Sequence, residues 1–228
     1  MITGAKNRAQ YLSYLYDKVR GRFSFSAADC AISQNGEYET LSFSADETLC
    51  PYLRRYTEEN IADVIAIGYK YEYFDKRLFL PLLTPKQKKL LCIALVAADF
   101  EEDKEYALKR LRHDGQYSID GVFNFRLGEL KRRWEGVLAY IPKQFGTSSL
   151  DDFIEFLVEE SEGKVYVKEG KVYDEGYHLL SRGKMFSGER MIAEILLQGA
   201  AKVYCFGRVE EDLKSFLCKY YKENAFFC

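Results

Sequence analysis

Apolar residues recur at spacings of three and four over several long segments, which is the pattern of helices with one buried face. These segments span about residues 6–20, 47–80, 84–111, 121–141 and 149–160. Thr84, Pro85 and Gln87 favour a helix start, because threonine caps, proline suits the first turn and glutamine reaches back to the cap amide. The first part of the chain is therefore predicted to be mostly helical.

Two stretches follow the alternation of strands instead. Residues 22–44 contain Asn35-Gly36, a dipeptide that suits the tight turn of a β-hairpin. Later, alternation over residues 164–168 predicts a strand, Glu169-Gly170 a turn, and residues 171–180 one or two further strands. The first stretch is predicted to form an antiparallel pair around its turn.

The last part of the chain continues this sheet through helical crossovers. Ser187 is predicted to cap a helix that ends at Gly199. A strand at residues 202–206, a helix at 210–222 and a strand at 225–228 follow it. A helical connection of this length makes its two flanking strands parallel when they share a sheet.

The fold class predicted from these patterns is α+β. Residues 1–146 form a mainly helical region with an early β-hairpin, and residues 147–228 form an α/β region with a small mixed sheet. The two regions are either separate domains or one continuous domain. No internal repeat and no low-complexity segment is apparent.

Composition bears on location and partners. The 228 residues carry a net charge of −2, so no overall field draws the chain to nucleic acid or to an anionic membrane. The first twenty residues are interrupted by charges, and the longest strongly apolar stretch, residues 90–98, is about half of what a bilayer requires. We therefore expect a cytoplasmic protein with no signal peptide and no membrane partner.

The cysteines and histidines are candidates for metal or catalytic chemistry. Six cysteines are spread along the chain without a CxxC pair, and in a reducing compartment they are expected to be free thiols. Convergence of Cys205, Cys218 and Cys228 with His178 would make a thiolate metal site, but the spacing fits no standard zinc module. His113 lies in a predicted polar turn, so we assign no metal ligand.

No catalytic or cofactor-binding residue is assigned, because the common nucleotide, hydrolase and protease motifs are absent from the sequence. A run of acids at Asp99, Glu101, Glu102 and Asp103 is expected to be a solvated helix surface or a helix joint.

Two places remain as alternative functional sites. The first is a ligand or active site near Cys205 to Arg208: Gly207-Arg208 follows a predicted strand and precedes a helix, where an anion can rest on backbone amides.

The other alternative is nucleic-acid binding through the helix that carries Arg126 and Arg133. Its basic residues are interleaved with aromatics, a pattern that suits contacts with phosphates and bases. Ion pairing of Glu129 with Arg132 and Arg133, and burial of Trp134, account for the same residues structurally. The acidic net charge favours that structural interpretation.

Three segments of the second half carry a family resemblance: residues 117–127, with the core Phe125-Arg126-Leu127, and residues 152–157 and 164–167. In these segments the chain resembles the YtxC-like sporulation proteins of endospore-forming bacteria. The resemblance extends to the ending, where a helix, a short strand, a helix and a terminal strand close on Cys228. It covers residues 117–228 and implies a bacterial sporulation-related role, but it supplies no ligand or catalytic residue; Arg126 is expected to be structural.

Taken together, these observations favour a protein-interaction or structural role, with another protein as the partner. An enzymatic role is the less favoured expectation, and oligomeric state is left open.

Overall fold

The computed structural model describes residues 1–23, 29–111 and 116–228. The turn predicted at His113-Asp114-Gly115 lies outside the described residues, as does part of the 22–44 stretch. The helices are α1 (Ala9–Phe23), α2 (Cys50–Asp63), α3 (Lys70–Arg77), α4 (Pro85–Ala98), α5 (Phe100–Leu111), α6 (Ile119–Arg126), α7 (Gly128–Tyr140), α8 (Thr147–Glu159), α9 (Arg190–Leu197) and α10 (Glu211–Tyr220). The strands are β1 (Ile2–Ala5), β2 (Asp29–Asn35), β3 (Tyr38–Ser44), β4 (Tyr117–Ser118), β5 (Gly163–Lys168), β6 (Lys171–Tyr173), β7 (Ala200–Phe206) and β8 (Ala225–Phe227).

Helices and two small mixed sheets make up this part of the chain, so the predicted α+β class is confirmed. Of the helices in the described residues, none combines the length and apolarity needed to cross a bilayer. Backbone contacts divide the chain into two compact units. Unit 1 is Met1–Lys70 with Glu101–Gly136, and unit 2 is Tyr71–Phe100 with Val137–Cys228. The boundary predicted near residue 146 stays a prediction.

Unit 1 is built around a sheet with the strand order β2-β3-β1-β4. The predicted hairpin is confirmed: β2 and β3 pair antiparallel, and Gly36 takes a φ of 61° that a side chain would disfavour. β1, which the sequence patterns did not predict, pairs antiparallel with β3 and parallel with β4. Buried residues of α1, among them Leu12, Leu15 and Val19, supply the adjoining core.

A π-helix over Val64–Tyr69 joins α2 to α3, and every one of its residues is buried. Gly68 is required there, because an added Cβ would lie 2.4 Å from Cε1 of Tyr11. The long helical segment predicted over residues 47–80 is therefore present, with a widened turn inside it. The Tyr11 ring packs so close to this turn that only glycine fits at position 68.

A buried charge cluster lies at the end of the π-helix. The Lys70 ammonium, which is fully buried, lies 2.7 Å from Oδ2 of Asp103. The same oxygen accepts a 2.7 Å hydrogen bond from Nε1 of Trp134, and Arg133 lies 3.3 Å from Oδ1. The acidic run lies at a helix joint, one of its two expected settings, because α4 ends at Ala98 and α5 begins at Phe100. The other expectation, a solvated surface, is wrong for Asp103, because its carboxylate neutralises a lysine inside unit 1. Glu101 and Glu102 are exposed, as expected.

Unit 2 contains the second sheet, with the strand order β6-β5-β7-β8. β5 and β6 pair antiparallel across the predicted turn, and the turn residues Glu169 and Gly170 both take positive φ. β7 pairs parallel with β5 and with β8, which confirms the parallel crossover predicted for the last two strands. Helices α8 and α9 contact this sheet, and α10 packs on both of them.

Three details of the sequence-based elements are wrong. The single helix predicted over residues 121–141 is two helices, α6 and α7, separated at Leu127. Ser187 does not cap α9: Glu189 occupies the cap position, and the Ser187 hydroxyl lies 3.1 Å from that of Tyr71. In α8 the apolar spacing favours Phe153, Phe156 and Leu157 as the side chains that face the core. The buried residues are instead Leu150, Ile154 and Val158, and Phe156 is exposed.

Candidate binding surface

One face of the second sheet carries side chains that no helix covers in the described residues. Along β5 and β7, burial alternates: Val165, Val203 and Cys205 are buried toward the helices, while Tyr166 and Tyr204 between them are partly accessible. This alternation follows from the two-residue period of a strand. We call the accessible side the outer face.

Four rings form a continuous row on the outer face, and we call Tyr177, Tyr166, Tyr204 and Phe226 the aromatic row. The ring centroids of Tyr177 and Tyr166 lie 4.5 Å apart and 8° from parallel. Tyr166 and Tyr204 are 5.6 Å apart, and Tyr204 and Phe226 are 4.7 Å apart at 12°. The 4.7 Å separation equals the distance between neighbouring strands, so these rings cover each other's faces.

The rings remain accessible even though they stack. Tyr177 is 65% exposed and Phe226 37%, and Phe206, whose ring lies 6.3 Å from that of Tyr166, is 40% exposed. Exposed apolar groups that are contiguous mark interaction surfaces more often than single exposed residues do. Stacking holds the rings in fixed positions, which lowers the entropy lost when a partner binds.

Lysines flank the aromatic row on both sides, and we call Lys164, Lys168, Lys171 and Lys202 the outer lysines. Lys168 and Lys171 are directly opposite each other in the hairpin, and Lys164 neighbours Lys202 across the parallel pair. Like charges placed opposite each other are unfavourable in isolation. The four strands of this sheet contain no acidic residue, so the outer face is basic although the chain is acidic overall.

Few acidic groups offset the outer lysines. Nζ of Lys164 lies 3.9 Å from Oε2 of Glu175, which is at the limit of an ion pair. Within the part of the chain that the structure describes, Lys168, Lys171 and Lys202 have no ion-pair partner. A negatively charged partner therefore gains attraction here without displacing an internal contact.

No family model, no curated protein and no solved structure matches this chain. The resemblance to the YtxC-like sporulation proteins accordingly stays a prediction.

The alternative site near Cys205 to Arg208 lies at the end of β7. Burial raises the pKa of the Cys205 thiol to about 11, with a smaller contribution from Cys228. A thiol with that pKa is protonated at neutral pH, so it is a weak nucleophile. What this segment does supply is the exposed ring of Phe206, next to the aromatic row. A ligand site at the segment stays a prediction.

Neither the cysteines nor His178 forms a metal site within the described residue ranges. All six cysteines are free; Cys205 is buried, whereas Cys218 and Cys228 are exposed. His178 is exposed and hydrogen-bonds Asp174 in its own loop, with 3.2 Å between Nδ1 and Oδ2. Among the described residues, no three His, Cys, Asp or Glu side chains are grouped to hold a metal ion.

The basic residues proposed for nucleic-acid binding are engaged inside unit 1. Arg132 pairs with Glu129, as predicted, but Arg133 pairs with Asp103 rather than with Glu129. Nζ of Lys131 donates to the carbonyl oxygen of Asn124. These contacts occupy the cations, so the helical segment offers less free positive charge than its sequence indicates.

The outer face could have been found from the sequence. The tripeptide Lys-Val-Tyr occurs three times, at residues 164–166, 171–173 and 202–204, once in each of β5, β6 and β7. Alternation within each copy turns valine inward and lysine and tyrosine outward. This short repeat corrects the expectation that the chain has none, although only the strand order shows that the copies lie side by side.

Proposed function

We propose that the chain is a binding protein whose outer face holds an acidic, partly apolar segment of a partner protein. The observation that carries the proposal is the combination of an exposed aromatic row with four outer lysines on strands that contain no carboxylate. Tyrosine and phenylalanine are enriched at protein interfaces, where they supply contact area at low entropic cost. The outer lysines add attraction for acidic side chains at the rim.

Single-stranded nucleic acid is the competing occupant, because aromatic rings and lysines on an open four-stranded sheet also suit bases and phosphates. Base stacking needs an open ring face. In the aromatic row, however, Tyr204 and Phe226 cover each other's faces, and so do Tyr166 and Tyr177. A protein segment, which can pack against ring edges, therefore suits this surface better.

The test is a selection of random twelve-residue peptides on the purified protein, followed by titration of one selected peptide by fluorescence anisotropy. We expect enrichment of peptides with acidic residues beside leucine or aromatic residues. The double variant K168E/K171E should weaken binding about tenfold or more, because it replaces two attractive charges by repulsive ones. Y177A should also weaken peptide binding, because it removes an exposed ring of the aromatic row. Tyr177 lies outside the strands, so its side chain can be removed without changing a strand residue.

The matched control is K214E, a charge reversal of an exposed lysine on α10, and it should leave affinity unchanged. The proposal is refuted if selected peptides show no acidic bias, or if K214E matches K168E/K171E in effect. Titration of labelled oligothymidylate is the second arm. Tight, salt-dependent binding that K168E/K171E abolishes would assign the outer face to nucleic acid instead.

A further inference from the structure

Unit 1 contains a two-part cavity along α2 that is separate from the outer face. A wide basin of about 900 Å³ is lined by residues of α2, of the segment before it and by Leu108. A narrow recess of about 100 Å³ adjoins the basin, and the two share Cys50 and Arg54. The shared residues place Arg54 where basin and recess meet.

Apolar side chains from four elements form the wall of the recess. They are Ile2 of β1, Phe43 of β3, Leu53 of α2 and the ring of Tyr117 in β4, with Met1 beside them. A water molecule occupies about 30 Å³ in the liquid, so the recess has room for a compact group of a few carbon atoms. An aliphatic or small aromatic group is what this lining favours.

Two arginine side chains line the described part of the cavity, and one of them is already paired. Arg55 pairs with Glu59, with 3.1 Å between Nε and Oε1, and Glu58 accepts a hydrogen bond from the Tyr117 hydroxyl. Arg54, which is exposed, has no hydrogen-bond or ion-pair partner among the residues that the structure describes. A ligand carboxylate can pair with Arg54, because a guanidinium binds a carboxylate through two parallel hydrogen bonds.

A second polar group of the recess also lacks a partner. Thr57 is 5% exposed, and its Oγ1 is buried without a hydrogen bond in the described structure. Burying an unsatisfied hydroxyl costs free energy, and a helical threonine ordinarily avoids the cost by bonding to the preceding turn. Thr57 lies one turn beyond Arg54, so one small ligand can reach both.

From this geometry we propose that the recess binds a small monocarboxylic acid. Its apolar group occupies the space between Phe43 and Leu53, its carboxylate pairs with Arg54, and a carboxylate oxygen accepts from the Thr57 hydroxyl. The Arg54 guanidinium, with the Met1 ammonium close enough to interact with it, favours an anion, whereas a dianion would also meet the acidic side chains of the basin wall, such as Glu47.

The probe for the test is 4-methylpentanoate, with 4-methylpentanamide as its neutral counterpart, followed by ligand-observed NMR and calorimetry on the full chain. We expect saturable binding of the acid and at least about tenfold weaker binding of the amide. R54Q should weaken binding of the acid by a similar factor. R55Q removes a neighbouring charge that is already paired, and it should leave the affinity unchanged.

T57V keeps the shape of the side chain and removes the unsatisfied hydroxyl. We expect weaker binding of the acid with no loss of thermal stability, a combination that a purely structural role would not give. Bound acid should also slow alkylation of Cys50, followed by peptide mapping, while leaving Cys218 unaffected. The proposal is overturned if acid and amide bind equally, if neither binds, or if R55Q matches R54Q.

Because the recess and the outer face share no residue, the two proposals fail independently. If R54Q loses 4-methylpentanoate binding and keeps peptide binding, the recess binds the acid and the outer face takes no part in that binding.

Discussion

Replacing Asp103 by asparagine removes the counter-charge of Lys70 while keeping the size of the side chain. Lys70 is fully buried, and its ammonium lies 2.7 Å from the carboxylate. Breaking a buried ion pair by removing one partner typically costs about 3–5 kcal/mol, because the remaining charge is uncompensated. The contact with Arg133 adds little to this loss, since the arginine is 45% exposed and screened by water. D103N should therefore remove a large share of the stability of unit 1.

Urea unfolding followed by tryptophan fluorescence measures this loss directly. Trp134 is the only tryptophan, and its indole donates to Asp103, so its emission reports on the cluster itself. The control is E102Q, a neighbouring acid that is exposed, which should change stability by less than about 0.5 kcal/mol.

A double variant, K70M/D103L, separates charge from packing. Replacing both partners by apolar residues removes the uncompensated charge, so the double variant should be more stable than D103N. A loss below about 1 kcal/mol in D103N, or a double variant less stable than D103N, would refute the view that Asp103 acts by neutralising Lys70.

Three further outcomes follow from local geometry. G68A should destabilise unit 1 by about 1–3 kcal/mol in thermal or urea unfolding, because the added methyl group meets the buried Tyr11 ring at 2.4 Å; a neutral result would mean that the ring moves without cost. T84A should cost about 1 kcal/mol by loss of the capping box at α4, an effect that T84S should largely avoid. Burial raises the pKa of the Cys92 thiol to about 12, so the folded chain holds this proton more tightly than the unfolded chain. Stability from this source is present below about pH 9 and falls as pH rises toward 12, and C92A, compared by urea unfolding across that range, should show a shallower decline.

Elements that depend on neighbouring residues were predictable from the sequence. The capping box at Thr84 forms because Gln87 is three residues away, with 3.2 Å between its backbone nitrogen and Oγ1 of Thr84. The turn at Gly36 forms because a glycine tolerates positive φ in a tight hairpin. The parallel pairing of β7 and β8 follows from the length of the connection between them.

Features that depend on distant residues were decided by tertiary structure. Asp103 has the surroundings of a surface acid in the sequence, and only the packing of α5 against the chain at Lys70 and Trp134 makes it a buried counter-ion. Ser187 has the side chain of a helix cap, but its hydroxyl lies beside that of Tyr71, 116 residues away. A hydroxyl or carboxylate bonds whichever partner the fold places within reach, and composition does not specify that partner.

The outer face likewise combines features that the sequence determines with features that only the folded sheet determines. Alternation in the sequence turns the tyrosines and lysines of each strand outward, and the Lys-Val-Tyr repeat is visible in the printed residues. Strand order and register alone set Tyr166 beside Tyr204 and Lys164 beside Lys202. Pairing between strands depends on long-range hydrogen bonds and on which helices cover the opposite face, so the aromatic row exists only in the folded sheet.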